Sequence, residues 1–128
     1  MEKKYRLTDD TIIVEDKTLY RIEALKDFGD VKKGDKGGFV DNENNLSHYG
    51  NCWVYDNARV YGDAIIFGNA EVFDNAMVYG HAKIYDNTKV YDCIEIYGNC
   101  LVYDDAKIYG FAKFCGNTKI CGNTKICC

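Results

Sequence analysis

Small and large apolar residues alternate with polar ones through most of this chain, and the pattern returns every six residues. From Asn51 the sequence divides into the units NCWVYD, NARVYG, DAIIFG, NAEVFD, NAMVYG, HAKIYD, NTKVYD, CIEIYG, NCLVYD, DAKIYG, FAKFCG, NTKICG and NTKICC. The stretch before them, NLSHYG at residues 45–50, reads as a degenerate further unit. A small residue holds the second position and mostly a β-branched one the fourth. An aromatic usually stands fifth, Gly or Asp sixth, and Asn or Asp opens most units. Alternation along an extended strand sends positions two and four to one side and positions three and five to the other. The inward pairs are then Ala58 with Val60, Ala64 with Ile66 and Ala76 with Val78. Gly, Asn and Asp at each junction supply the permissive backbone of a sharp corner. Strands this short cannot bury an apolar face alone, so the units must stack.

The corners give the number of units per coil. Every eighteenth residue from Gly62 is glycine (Gly62, Gly80, Gly98, Gly116), and a second column reads Asp56, Asp74, Asp92. A repeat of two or four units breaks both columns, whereas three units per coil keeps them pure. The core columns agree: Val54, Val72, Val90, Ile108 and Ile126 on one wall, then Val60, Val78, Ile96 and Phe114, then Ile66, Ile84, Val102 and Ile120. The expected fold is all-β, a triangular β-helix of four to five coils over residues 45–128. Residues 1–44 do not repeat. Lys4–Thr8, Thr11–Val14 and Thr18–Leu25 read as short strands, joined at Asp9-Asp10 and at Glu15-Asp16-Lys17. A Gly- and Lys-rich turn over residues 32–38 leads to Phe39-Val40. This segment is expected to cap the unpaired edge of the first coil. No comparable cap follows the last repeat, so an open core end is expected there unless a partner covers it.

The aliphatic–corner–small pattern resembles the left-handed β-helix of hexapeptide-repeat proteins. More narrowly, Tyr5-x-Leu7-Thr8, Arg21-Ile22-x-Ala24-Leu25, Gly37-Gly38-Phe39-Val40 and Asn45-Leu46-Ser47, followed by NARVYG-like units, look like one poorly characterised group. Its members are single-stranded left-handed β-helices of bacterial genomes, phages and prophages. The resemblance implies the left hand and a homotrimer. Other hexapeptide proteins often close with a helix or carry an inserted loop, and this sequence shows neither.

Composition narrows the setting. No apolar run approaches the length of a membrane span, and the charged start Met1-Glu2-Lys3-Lys4-Tyr5 lacks a secretory signal. A soluble protein of the bacterial cytoplasm, from the cell or from a virus infecting it, is expected. Seven cysteines without a signal peptide are expected to be reduced thiols. The net charge of −4 conceals an asymmetry, since after Asp105 no acid remains while Lys107, Lys113, Lys119 and Lys125 do. Those lysines are either a solvated face or an anion site.

Candidate chemistry is sparse. Acyl transfer from a CoA thioester, the best-known activity of this architecture, uses a histidine base at a groove between subunits. His48 falls in the degenerate unit, at the slot that later units give to an aliphatic residue. His81 stands at a corner in the column Asp63, His81, Asn99, Asn117 and is the candidate base, although a residue substituting for Asn is the plainer reading. Three converging histidines for a zinc hydratase are lacking. Cys52 and Cys100 read as core residues. Cys115, Cys121 and Cys127 take the outward aromatic slot on three different walls, and Cys127-Cys128 is an oxidation hazard. No metal and no cofactor is expected. The column Asp56, Asp74, Asp92 sets like charges one strand spacing apart, which costs energy unless they are solvated or neutralised.

The outward aromatics are the main surface feature. One wall carries Ile65, Phe67, Tyr85, Leu101 and Tyr103 around Lys83 and is the expected subunit contact, with three-fold closure. Another carries Trp53, Tyr55, Phe73, Tyr91 and Tyr109. The expected function is a non-enzymatic binding module. Lys107, Lys113, Lys119 and Lys125, with Tyr91, Tyr97, Tyr103 and Tyr109, would hold a small anionic, nucleotide-like ligand or a protein partner at inter-subunit grooves. The phage-like resemblance makes sequestration of a host nucleotide signal one version. Nucleic acid is disfavoured by the negative charge and the lack of a long basic track. A CoA-dependent acyltransferase with His81 as base and a pure scaffold are the alternatives.

Overall fold

The computed structural model describes residues 2–114 and 116–122, together with the backbone path of 125–127. It is a three-walled parallel solenoid built on the predicted three-unit coil. Wall I stacks Trp53–Val54, Glu71–Val72, Lys89–Val90, Lys107–Tyr109 and Lys125–Cys127. Wall II stacks Arg59–Val60, Met77–Val78, Glu95–Ile96 and Lys113–Phe114, and wall III stacks Ile65–Ile66, Lys83–Ile84, Leu101–Val102 and Lys119–Ile120. The registers are those of the columns, for instance Val72 beside Val90 and Ile84 beside Val102. The inward residues Val54, Val60, Ile66, Val72, Val78, Ile84, Val90, Ile96, Val102 and Ile108 are all fully buried.

Hydrogen bonds run along the axis. The N–H groups of positions one, three and five donate to carbonyls of the next coil, as in Trp53 to Ala70 (3.2 Å), Tyr55 to Val72 (2.8 Å) and Asn57 to Asp74 (3.2 Å). Position six turns the corner. From Gly50 to Gly122 every residue there has φ between 57° and 98°, the left-handed region that Gly enters freely and Asp tolerates better than most. The choice of Asp has a further reason. Asp56 Oδ2 accepts the Asp74 N–H (3.2 Å), Asp74 Oδ2 that of Asp92 (3.2 Å), and Asp92 Oδ2 that of Gly110 (3.0 Å). A second corner repeats the device from Asp86 to Asp104 (3.0 Å) and from Asp104 to Gly122 (3.1 Å). Each carboxylate thus satisfies a donor one coil away, which offsets the repulsion within the column.

The first coil departs from the expectation in three ways. The two short strands at its start are one, β1 (Tyr5–Val14), with an irregular register between Leu7 and Thr11. The Thr8 hydroxyl holds that irregularity, donating to Arg21 O (2.8 Å) and accepting from Asp10 N (3.2 Å). β1 turns through Glu15-Asp16, both at positive φ, into β2 (Lys17–Ala24). β2 pairs antiparallel with β3 (Lys36–Val40), which pairs in parallel with Arg59–Val60, so wall II continues into the non-repeating segment without a break. Gly37 and Gly38 allow this approach, because a Cβ at either would lie 2.5 Å from a backbone oxygen, of Val54 or of Ala58.

Second, His48 is not in an aliphatic slot. Leu46 takes that place, fully buried and bridged in parallel to Ile66, twenty residues on where later rungs are eighteen apart. The two extra residues push His48 to the rim, where it stacks on Tyr5 (4.2 Å between centroids), accepts the Lys4 N–H at Nδ1 (3.1 Å) and meets Glu43 through Nε2 (2.9 Å). Third, the β1–β2 hairpin covers the outside of wall II as well as its edge. Leu19, Phe39 and Tyr61 are buried together there, against Ile12, Val14, Met77 and Tyr79.

Lys4 completes the covered end and was not expected in the core. It is fully buried, donating from Nζ to Cys52 O (2.7 Å) and Gly50 O (3.3 Å), 4.7 Å over the Phe28 ring. These carbonyls belong to the first rung, which has no preceding coil to pair with it, and the ammonium supplies the missing donors. Burial holds its pKa below the ordinary lysine value.

Candidate ligand surfaces on the solenoid walls

Six-residue spacing carries a side chain to the next wall, so the four C-terminal lysines do not share a surface. Lys107 and Lys125 are on wall I, Lys113 on wall II and Lys119 on wall III. The tyrosines divide likewise, Tyr91 and Tyr109 beside wall I, Tyr97 beside wall II and Tyr103 beside wall III. Wall I therefore gathers Lys107, Lys125, Tyr91 and Tyr109, and it adds Lys89, which the sequence reading passed over. Lys89 is in register with Lys107, and Lys107 with Lys125. Neither Lys89 nor Lys107 has a carboxylate within salt-bridge distance among the described residues. Beside them Tyr91 and Tyr109 stack with centroids 5.2 Å apart and planes 8° from parallel. Lys113 is engaged with Glu95 at 3.7 Å. The side chains of Lys125 and Cys127, and the residues Cys115 and Cys128, lie outside the described residues.

The edge between walls II and III is different in kind. Beyond Asp63 its corner column carries no carboxylate, only His81, Asn99 and Asn117. His81, Lys83, Asn99 and Leu101 line an open groove of 560 Å³. His81 Nδ1 lies 3.6 Å from Asp63 Oδ2, with both side chains more than half exposed. That separation is longer than a hydrogen bond and the exposure screens the attraction, so Asp63 biases the ring without fixing it. The other two edges are acidic, with Asp56, Asp74 and Asp92 on one and Asp86, Asp104 and Asp105 on the other.

Comparison with known proteins adds one likeness. An alignment 60 positions long, which covers 41% of this chain, is 40% identical to the uncharacterized acetyltransferase YdcK of Escherichia coli (strain K12). The match spans 18% of that relative's length. No family model matches the chain. The six-residue repeat and the three parallel ladders carry the architecture by themselves, and the likeness is consistent with them. The chain is a hexapeptide-repeat β-helix protein. Among the described residues of this hexapeptide-repeat protein no helix is long and apolar enough to cross a membrane.

Wall III carries the expected contact residues together. Phe67, Tyr85 and Tyr103 stack at 4.8 and 5.3 Å, and Ile65 and Leu101 flank Lys83 in register. All five are partly buried in the single chain. Cys121 follows in the aromatic slot of the same wall, and a hydrogen bond with this thiol holds the Tyr103 phenol above its ordinary value. Cys52 and Cys100 are fully buried, as expected of core thiols. Trp53, placed by sequence on the outward face of wall I, is outward but covered by Phe28 and Tyr5.

The ladder phenols make a pH prediction. Burial first, then nearby carboxylates, push Tyr55 and Tyr79 from the ordinary 10.0 up to about 12. The folded chain therefore favours the protonated phenols. Their contribution to stability is whole below pH 10.0 and is lost as the pH rises toward about 12. Spectrophotometric titration should show these two phenolates forming above the ordinary 10.0, toward about 12, together with loss of the β signal in circular dichroism. Titration of Tyr55 and Tyr79 at the ordinary 10.0 would contradict it.

Proposed function

We propose that this protein is a non-enzymatic binding module, working as a homotrimer, that holds a small anionic, nucleotide-like ligand on the wall I strip. The observation that carries the reading is the in-register run Lys89, Lys107, Lys125 beside stacked Tyr91 and Tyr109. Strands about 4.8 Å apart make Lys89 and Lys107 like-charged neighbours that repel, and a bound polyanion relieves that repulsion. The tyrosine pair offers an aromatic platform next to those charges, the combination that suits a base and its phosphates. Contact through wall III closes the trimer. Sequestration of a host nucleotide signal is the version that the phage-like resemblance favours.

The test is binding of a panel of mono-, di- and cyclic nucleotides to the wild type and to Lys89→Glu/Lys107→Glu, by calorimetry, with native mass spectrometry reporting the trimer. Each lost charge contact is expected to weaken binding about tenfold. Unchanged affinity in the double variant would remove wall I as the site.

A second reading rests on the His81–Asp63 pair, its groove and the likeness to a protein named as an acetyltransferase. Here His81 Nε2 takes a proton from an acceptor hydroxyl or amine as that group attacks the carbonyl of an acyl-CoA, and the imidazolium returns the proton to the CoA sulfur as the carbon–sulfur bond breaks. His81→Ala is then expected to lower acetyl-CoA turnover by about 100-fold or more while thermal unfolding stays unchanged. Full activity in the variant would end this assignment, and no turnover in the wild type across an acceptor panel would leave the binding reading alone.

A further inference from the structure

The ring stack along wall I is regular except at one place. Phe73 and Tyr91 stack with centroids 4.7 Å apart and planes 6° from parallel, as do the rings beyond them. Tyr55 and Phe73 instead meet edge to face, 6.3 Å apart and at 84°. The break opens a pocket of 260 Å³, lined by those two rings and by Asp30, Asp56 and Glu71.

The Arg21 guanidinium meets Asp56 at its backbone oxygen (3.1 Å), and the three carboxylates form no ion pairs among the described residues. Lys89 is the in-register neighbour of Glu71, yet it makes no ion pair with it. Asp56 Oδ2 accepts the Asp74 N–H at 3.2 Å, and the residue lines the pocket. All three acids act on one ring, since Glu71, Asp30 and Asp56 add in that order to the effect of burial on the Tyr55 phenol.

We infer that this pocket is a binding site for a small organic cation, an alkylated ammonium group or the end of a polyamine. An aromatic face attracts a cation through its quadrupole, and an edge-to-face pair presents a face and an edge to one small cavity. A carboxylate neutralises the charge while the rings cover the carbon substituents. The volume is below that of drug-sized pockets and matches a head group. A hard metal ion is a poorer fit, because rings lend no lone pairs and such ions gather six or more oxygens. Among the described residues no three His, Cys, Asp or Glu side chains converge as metal ligands. The site adjoins the lysine strip on the next rung of the same wall, where Lys89 is in register with Glu71 and Tyr91 stacks on Phe73, and it takes a ligand of the opposite charge.

Tetramethylammonium and spermidine are the probes, titrated into the full chain at constant ionic strength and followed by calorimetry and by the ring resonances of Tyr55 and Phe73. A dissociation constant of about 1 mM or tighter is expected for at least one of them. Glu71→Gln and Phe73→Leu are each expected to weaken it about fivefold or more. Asp92→Asn, a carboxylate of the same corner column outside the pocket, is expected to leave the affinity unchanged. Glu71→Gln replaces a partly exposed residue of similar shape, so it keeps the test open if Phe73→Leu disturbs the fold. Equal displacement by sodium ions, an equal loss in Asp92→Asn, or no binding of either probe would each overturn the inference.

Discussion

Gly98→Ala is expected to destabilise the fold by about 3 kcal/mol and to lower the unfolding midpoint by about 10 °C. Two effects combine at this position. Its φ of +75° lies in the left-handed region, where a Cβ costs about 1–2 kcal/mol. The added carbon would also stand 2.7 Å from Gly116 N, a backbone atom that cannot swing aside. Because Gly80 bears the same relation to Gly98, a shift to relieve one contact tightens the next. Asp92→Ala is the informative comparison, since that corner already accommodates a Cβ and the variant loses the hydrogen bond to Gly110 and the easier left-handed backbone of Asp without adding a clash. A Gly98→Ala protein as stable as Asp92→Ala would show that the glycine edge has slack.

Trp53→Ala is expected to cost about 3–5 kcal/mol. The indole is 1% exposed, edge-on to Phe28 at 5.2 Å and to Tyr5 at 6.1 Å, and it joins the non-repeating segment to the first rung of wall I. Removing it leaves a cavity beside Lys4, whose ammonium is kept from water by Phe28 and the Cys52 and Gly50 carbonyls. Hydrogen exchange should therefore accelerate first in β1 and β2 and least in the middle rungs. Uniform acceleration along the solenoid would mean that the covering segment and the coils unfold as one unit.

These contrasts explain what could be read from the sequence. The three-unit coil was legible because its corner chemistry has an eighteen-residue period and the core columns repeat it. His48 was misplaced because the first coil carries two extra residues, and a strict period cannot announce its own exception. The burial of Lys4 and the cover over Tyr61 depend on contacts across dozens of residues, which no local pattern records. The lysines illustrate a different failure. Grouping them by proximity in sequence scattered them over three walls, whereas counting back eighteen from Lys107 reaches Lys89 at once. The broken ring stack at Tyr55 had no signal at all, since Tyr and Phe follow there as regularly as elsewhere.

The eighteen-residue rung also sets how the chain can change length. Removing one hexapeptide would turn everything after it by one wall, so that aspartate corners would meet glycine corners and the lysine run would be divided between two faces. Removing or duplicating a whole coil keeps every column in phase and only shortens or lengthens the prism by one strand spacing, about 4.8 Å. Viable length variants are therefore quantised, and the protein behaves as a ruler graduated in coils.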